Sequence, residues 1–330
     1  MNAVPPATRP DPLVGHENVA EIREGVLADS RCRACAAVGS LRFFQPIRSF
    51  ATAGEGAVMY VCANCGSGQT VYTADLAVSY GEEYYSYNPE SYSSLKTRIK
   101  GLIYKYASFV PLSLRHRWLT VAPSGRPGKV LDVGCGCGNS LDVWKSVGWR
   151  TFGTEITQAP VEICRAQGHD VKLSYDPWKD FADHKFEWIT LDNVLEHIET
   201  PEEFLMNLRP ILADQGKITI CVPNYGGAPS KIFGRYWDAL LPDQHVTHFT
   251  RQGLEALLAR SGYKIRSLTF QPRFHLSFGN AQRYGTGDEA GRIMVEAKSW
   301  KKRAIARLAT GRHPREADGY FMTADIVLAP

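Results

Sequence analysis

The chain has 330 residues, of which 44% are hydrophobic. That is enough for one large core and a small satellite domain. The formal net charge of +4 is too slight to point to nucleic acid by itself. No run of ~18 apolar residues occurs, so no membrane-spanning helix is expected. Residues 1–12 are rich in Pro and Ala and lack a basic start followed by an apolar run. Residues 1–27 are therefore expected to form a disordered leader and not a signal peptide.

Residues 28–75 carry short apolar runs that alternate like small β-hairpins. They also hold the first chemical signal: Cys32-x2-Cys35, then 26 residues, then Cys62-x2-Cys65. Two such pairs converge readily on one Zn²⁺ as thiolates. Gly39 and Gly66 supply the tight turns that aim amides at sulfur. Four cysteines leave no open coordination position, so the expected zinc is structural. The other four of the eight cysteines are scattered, which argues against a secreted disulfide framework and for a reducing cytoplasm. Residues 76–95 follow, with tyrosines at 80, 84, 85, 87 and 92. They are expected to act as an aromatic linker or as a lid.

Residues 96–330 alternate strand-like runs with amphipathic helical stretches, the signature of an α/β domain with a mostly parallel sheet. Strands are predicted at 129–133, 150–155, 171–173, 186–191, 217–222, 263–270 and 320–328. Helices are predicted at 140–147, 160–167, 201–213 and 252–261. Pro160 and Pro201 stand at first-turn positions, and Gly148, Gly168 and Gly262 follow helical runs as stops.

Residues 130–140 read VLDVGCGCGNS. An apolar strand runs into Gly134, Gly136 and Gly138, then a helix begins with Asn139 or Ser140 as its cap. Glycines admit a ligand close to the backbone, and a helix N-terminus favours an anionic group. The pattern is GxGxG, not the GxGxxG of dinucleotide sites. Asp132 would be awkward beside a pyrophosphate but suits the ammonium of a methionyl group. Glu155 ends the second strand 17 residues after Gly138, where a carboxylate can accept both ribose hydroxyls. Cys135 and Cys137 are read as small side chains that fit the turn. The expected cofactor is S-adenosylmethionine.

These residues, with FEWITLDNVLEHI, LRPILADQGKITICVPN and HVTHFTRQGLEALLARSGY, occur in the order of the class I S-adenosylmethionine-dependent methyltransferase family, which residues 130–263 resemble. The resemblance implies a Rossmann-like seven-stranded sheet with one antiparallel strand near the end. With the four cysteines, the expected fold is that α/β sheet plus a small N-terminal zinc ribbon. The resemblance also implies that Leu191, Asp192 and Asn193 pass beside the methionyl part of the cofactor. Asp176 or Tyr175 are the candidates for adenine, and Trp178 is expected to cap the core.

Methyl transfer needs an aligned nucleophile, exclusion of water and, for a hydroxyl, removal of a proton. His245 and His248 lie in the loop after the fifth strand, where acceptors are expected. In layout the chain is similar to zinc-ribbon sugar C-methyltransferases, which have a Glu-His pair in this place. Gln244-His245 stands here instead, leaving His245 as a base for O-methylation. His248 is expected to pack near Phe249. Glu196-His197 follows the fourth strand, to orient the cofactor loop or touch substrate.

Residues 271–318 interrupt the last two strands. The basic amphipathic run 298–308 is expected to cover the sheet edge as a solvated helix, with contact to membrane lipid or a nucleotide-linked sugar as the alternative. The acceptor class is a small molecule or glycan: a sugar, sugar nucleotide or natural product. Two rival classes are a zinc-ribbon RNA methyltransferase and a cofactor-binding protein without catalysis. Arg31, Arg33, Arg42 and Arg48 do not form the dense basic cluster that RNA would ask for.

Overall fold

A computed structural model describes residues 26–27, 30–47, 57–72, 123, 125–242, 244–271, 287–309 and 315–329. The tyrosine segment 76–95 and the leader before residue 26 lie outside these residues. Two sheets organise the rest.

The larger sheet contains β5 (Lys129–Val133), β6 (Arg150–Glu155), β7 (Asp170–Leu173), β8 (Phe186–Asp192), β9 (Leu212–Pro223), β11 (Tyr263–Gln271) and β12 (Phe321–Leu328). Their spatial order is β11-β12-β9-β8-β5-β6-β7. The pairs β5–β6, β5–β8, β6–β7 and β8–β9 are parallel. Only β12 runs against its neighbours, pairing antiparallel with both β9 and β11. This is the expected seven-stranded sheet with one reversed strand.

Helices α1 (Asn139–Ser146), α2 (Gln158–Ala166), α4 (Pro201–Leu208) and α6 (Arg251–Arg260) connect the strands. Short turns α3 (Pro177–Asp180) and α5 (Ala228–Phe233) lie between them. Two expectations need correction. The cap of α1 is Gly138, in the left-handed region and without a side-chain bond, because the loop must turn at φ +79° there. Asn139 and Ser140 are already helical. The helix expected over 201–213 stops at Leu208, and β9 begins at Leu212. Pro210 has no N–H to continue the helix, and Gly216, where added Cβ atoms would meet two carbonyl oxygens, lets the long strand bend.

The second sheet runs β1-β2-β3-β4-β10, from β1 (Val26–Leu27), β2 (Leu41–Ile47), β3 (Ala57–Cys62) and β4 (Gly68–Tyr72). Val26 and Leu27, placed in the expected leader, pair with β2. The fifth strand, β10 (Thr247–His248), belongs to the loop after β9, far along the chain, and pairs antiparallel with β4. The ribbon thus shares a sheet with the larger domain. One apolar cluster also runs from Cys32, Leu41 and Tyr60 through Phe249 and Leu254 to Leu131 and Ile189. Burial of apolar surface on that scale, at roughly 25 cal/mol per Å², makes the contact a core and not a hinge.

The insertion contains α7 (Gly287–Ala309). Ile293, Ala297, Trp300 and Ala304 are buried, at the spacing of one helical stripe. Ile293, Ala297 and Trp300 join Phe233, Trp237 and Phe321 in a second cluster. The basic helix therefore packs on α5 and the segment that follows it, with Phe321 of β12 in the same cluster.

Candidate active site and metal centre

Asp132 is the last residue but one of β5 and Glu155 the last of the adjacent parallel strand β6, so both lie at the same end of the sheet, beside the glycine loop. Glu155 is buried. Its Oε2 accepts from Gly136 N at 3.0 Å, and its Oε1 accepts from Ile156 N at 2.6 Å and Thr157 N at 3.3 Å. These bonds fix the carboxylate and tie the loop to β6. Gly134 adopts φ +68°, and a Cβ there would sit 2.9 Å from Val194 Cγ2. Cys135 and Cys137 are buried within the turn, as small side chains should be.

Asp132 accepts from Thr190 Oγ1 at 2.6 Å. Burial first, then the charges of Asp192 and Glu155, push its carboxyl up to about 7 against the Thr190 bond, which lowers it. Three carboxyl groups close enough to act on one another make this end of the strands attractive to a cation. Leu191 is buried. Asp192 Oδ1 accepts from Asn193 Nδ2 at 2.8 Å, and Asn193 adopts φ +57°. That left-handed residue turns the chain from β8 toward Glu196 and His197. Asp132, Gly134, Cys135, Gly136, Gly138, Glu155, Leu191, Asp192 and Asn193 thus line one end of the parallel strands. Thr190 is the residue that sequence reasoning missed. Nothing marks a threonine inside an apolar strand until the neighbouring strand presents Asp132.

The adenine candidates fare differently. Tyr175 is half-exposed, and Asp176 pairs with Lys179 at 2.6 Å. Trp178 packs edge-on against Phe204 with centroids 5.3 Å apart, so it caps the core.

On the other side of Asn193, three ionisable side chains meet. Glu196 and His197 come from a 3-10 turn, Leu195–His197, and His245 from the loop before β10. His245 Nε2 lies 3.9 Å from Glu196 Oε1, and the two imidazoles meet edge to face at 4.6 Å. His245 Nδ1–H donates to Ala239 O at 2.8 Å, which leaves the lone pair on Nε2. His197 Nδ1 bonds to Gln244 O at 3.1 Å. Burial lowers His197 to about 4 and His245 well below the usual histidine range. Burial also raises Glu196 to about 8, and neither of its carboxyl oxygens has a hydrogen-bond partner among the described residues. Gln244 supplies no carboxylate to His245, but Glu196 brings one from the turn after β8. His248, expected against Phe249, instead bonds Thr70 Oγ1 on the ribbon at 2.9 Å.

The four cysteines come together as their spacing predicts. Cys32 and Cys65 sulfurs are 3.8 Å apart, Cys35 and Cys62 sulfurs 3.6 Å. All four lie within 4.8 Å of one another. A tetrahedral zinc with Zn–S of about 2.3 Å has an S–S edge of about 3.8 Å, so the thiol set fits the ion. Each pair sits on a matching turn: Ala36 N donates to Cys32 O and Gly66 N to Cys62 O, both at 2.8 Å. Gly66 adopts φ +71° and Ala36 φ +63°. Asn64 Nδ2 points at Cys35 Sγ (3.4 Å) and Ser40 Oγ lies 3.1 Å from Cys62 Sγ, contacts that steady thiolates. Within the Cys32–Cys65 pair, the bond from Cys32, then Ser67, holds Cys65 down at about 5.

Known proteins bear on this geometry. Residues 106–268 match a family model described as a methyltransferase domain. Norajmaline N-methyltransferase of Rauvolfia serpentina is 28% identical over 34% of this chain and 42% of its own length. Ubiquinone biosynthesis O-methyltransferase of Actinobacillus pleuropneumoniae serotype 5b (strain L20) is 30% identical over 27% of this chain and 42% of its own. The chain thus spans about two fifths of the length of these relatives. A SAM-dependent methyltransferase from Archaeoglobus fulgidus has 18% identity and a TM-score of 0.45, covering 74% of this chain and 99% of its own. The matched methyltransferase domain and the strand order agree with the class I S-adenosylmethionine-dependent methyltransferase family that the sequence resembles.

Proposed function

We propose that the chain transfers the methyl group of S-adenosylmethionine to a small-molecule or glycan acceptor. The observation that carries this reading is the set of carboxyl groups: Asp132, Glu155 and Asp192 act on one another beside a GxGxG loop that Glu155 holds through Gly136 N. Bound S-adenosylmethionine supplies a methyl group on a positively charged sulfur. Asp132 suits its ammonium, and Glu155, on the neighbouring strand, suits its ribose hydroxyls. Gly134, Gly136 and Gly138 keep the wall low, while Cys135, Leu191, Asp192 and Asn193 flank the methionyl arm.

The acceptor side is the Glu196–His197–His245 cluster. For a hydroxyl acceptor, S-adenosylmethionine held by these residues would supply the methyl group, and the acceptor oxygen would have to give up its proton. The acceptor proton goes to His245 Nε2, the nitrogen left free by Ala239. Glu196 lies 3.9 Å from that nitrogen, the nearest carboxyl group to the imidazolium that would form. His197 holds the loop through Gln244. The two curated relatives methylate nitrogen and oxygen, so neither fixes the nucleophile. Zn²⁺ in the Cys32, Cys35, Cys62 and Cys65 site would stabilise the ribbon and take no part in the chemistry, since four thiolates close its coordination.

Calorimetry with S-adenosylhomocysteine and with NAD tests the cofactor. Binding of the first alone is expected, and binding of NAD alone would overturn the reading. Turnover of S-adenosylmethionine with a labelled methyl on panels of sugar nucleotides, phenols and RNA then tests the acceptor class. Full turnover by His245→Ala would remove that residue as the base.

A further inference from the structure

The loop that carries His245 is strung between two supports. On the cofactor side, Val246 N donates to Glu196 O at 2.9 Å, and His197 bonds Gln244 O. On the other side lies the ribbon. Thr70, on β4, is fully buried and is the fifth residue after the ligand Cys65. Its backbone N donates to Val246 O at 3.1 Å. Its hydroxyl lies 2.7 Å from His245 O and 2.9 Å from His248 Nε2. Arg33, between the first two cysteines, also donates to Val246 O at 3.2 Å.

Proton counting fixes the direction of these bonds. A carbonyl oxygen only accepts, so the single hydroxyl proton of Thr70 goes to His245 O. His248 must then donate from Nε2 to the Thr70 oxygen. Burial, with the charge of Arg33, lowers His248 to about 3, so it stays neutral and that proton defines its tautomer. One hydroxyl therefore holds the base-bearing residue by its main chain and the next histidine by its ring. The zinc knuckle lies at the start of the same strand: Cys62 N bonds Ser67 O, and Cys65 O accepts from Thr250 Oγ1 at 2.6 Å.

We infer that Thr70 is a positioning residue for His245, and that the four-cysteine site acts on the acceptor side of the cleft through it. The inference rests on the methyl-transfer reading for its meaning, though not for its test. With the ribbon closed by its metal, β4 presents the Thr70 hydroxyl to the loop. With the knuckles open, β10 loses its partner strand and His245 loses one of its two supports. The cofactor cleft, built within β5, β6 and β8, does not depend on this link.

The test uses the full chain with histidines labelled with ¹⁵N, observed by long-range proton–nitrogen NMR. In the zinc-loaded protein His248 is expected as the Nε2–H tautomer and His245 as Nδ1–H. Thr70→Val, which keeps the shape and removes the hydroxyl, should shift both sets of signals. Thr70→Ser should restore them. The parent stripped of zinc by a chelator should resemble Thr70→Val at these two histidines. In every arm, calorimetry with S-adenosylhomocysteine should give an unchanged affinity. Unchanged His245 and His248 signals in both Thr70→Val and the stripped parent would overturn the inference, and so would failure of Thr70→Ser to restore them. If Thr70→Val unfolds, the stripped parent and Thr70→Ser decide. A parent that never binds S-adenosylhomocysteine would sink the methyl-transfer reading and leave the NMR result standing.

Discussion

The two sides of the cleft are built differently. The proposed cofactor side uses consecutive residues: a strand, a glycine loop and the start of a helix, closed by Glu155 from the adjoining strand. Its key contacts run from backbone amides to a carboxylate and cross only 19 residues. The proposed acceptor side has no such unit. Its loop hangs between the turn after β8 and the ribbon, through bonds that span 175 and 178 residues. A local site tolerates damage elsewhere, whereas a suspended loop inherits the stability of whatever holds it.

The largest break in that comparison comes from the metal. Cys62→Ser or chelation should take bound zinc from one ion per chain to none. Structural zinc contributes on the order of 10–16 kcal/mol to small metal-dependent folds, so the ribbon sheet should lose its amide protection in hydrogen exchange. Strands β5, β6 and β8 should keep theirs, and S-adenosylhomocysteine binding should stay within about 0.5 kcal/mol of the parent. Simultaneous loss of protection in both sheets would show that the two sides are one cooperative unit.

The next effect is confined to the cofactor side. Asp132→Asn removes the charge that suits the ammonium, and S-adenosylhomocysteine affinity should fall by about 1.5–3 kcal/mol, a charged hydrogen bond's worth. Stability should move the other way. Burial raises the Asp132 carboxyl from 3.8 to about 7, so the folded chain holds this proton more tightly than the unfolded one. The acid therefore costs stability progressively as pH rises from about 4 to about 7, and the whole cost remains above that. Asp132→Asn should melt higher than the parent at pH 8, with the gap closing toward pH 4. A variant that melts lower at pH 8 would mean that Asp132 is not the strained acid of this cleft.

This contrast also explains what could be read from the chain. The GxGxG loop, Glu155 and the paired cysteines stand out in the sequence because each is written in short spacing, and the strand alternation pointed to a mostly parallel sheet, while its seven strands and one reversed strand came from the family resemblance. Gly138 as the cap of α1 was not, because Asn139 and Ser140 are better caps by side chain and only the required positive φ overrules them. Nor was Thr70, since a hydroxyl in a ribbon strand has no visible partner until β10 folds back across it. The carboxylate that Gln244 lacks was present in Glu196-His197. Its pairing with His245 depends on the fold and not on adjacency.

A smaller effect should follow from Gly134→Ala. The new Cβ would meet Val194 Cγ2 at 2.9 Å on a backbone at φ +68°, a position that costs a non-glycine residue of order 1–3 kcal/mol. Chemical denaturation should show the loss together with weaker S-adenosylhomocysteine binding, while His245 and His248 NMR signals stay in place. Displaced histidine signals would mean that the loop transmits strain across Asn193.

The smallest effect separates two threonine caps. Thr250 caps α6: its Oγ1 accepts from Gly253 N at 3.1 Å and donates to Cys65 O at 2.6 Å. Thr200 stands at the same position of α4 but makes no side-chain cap bond. Losing a capping hydroxyl typically costs ~1 kcal/mol. Thr250→Ala should lose about that much, plus the Cys65 contact, because the one hydroxyl ties the helix to the knuckle. Thr200→Ala should change stability by less than about 0.5 kcal/mol, as a substitution away from such features does. If chelation removes the difference between the two variants, the extra loss at Thr250 belongs to the ribbon and not to the helix. If the difference persists without zinc, the cap serves α6 alone.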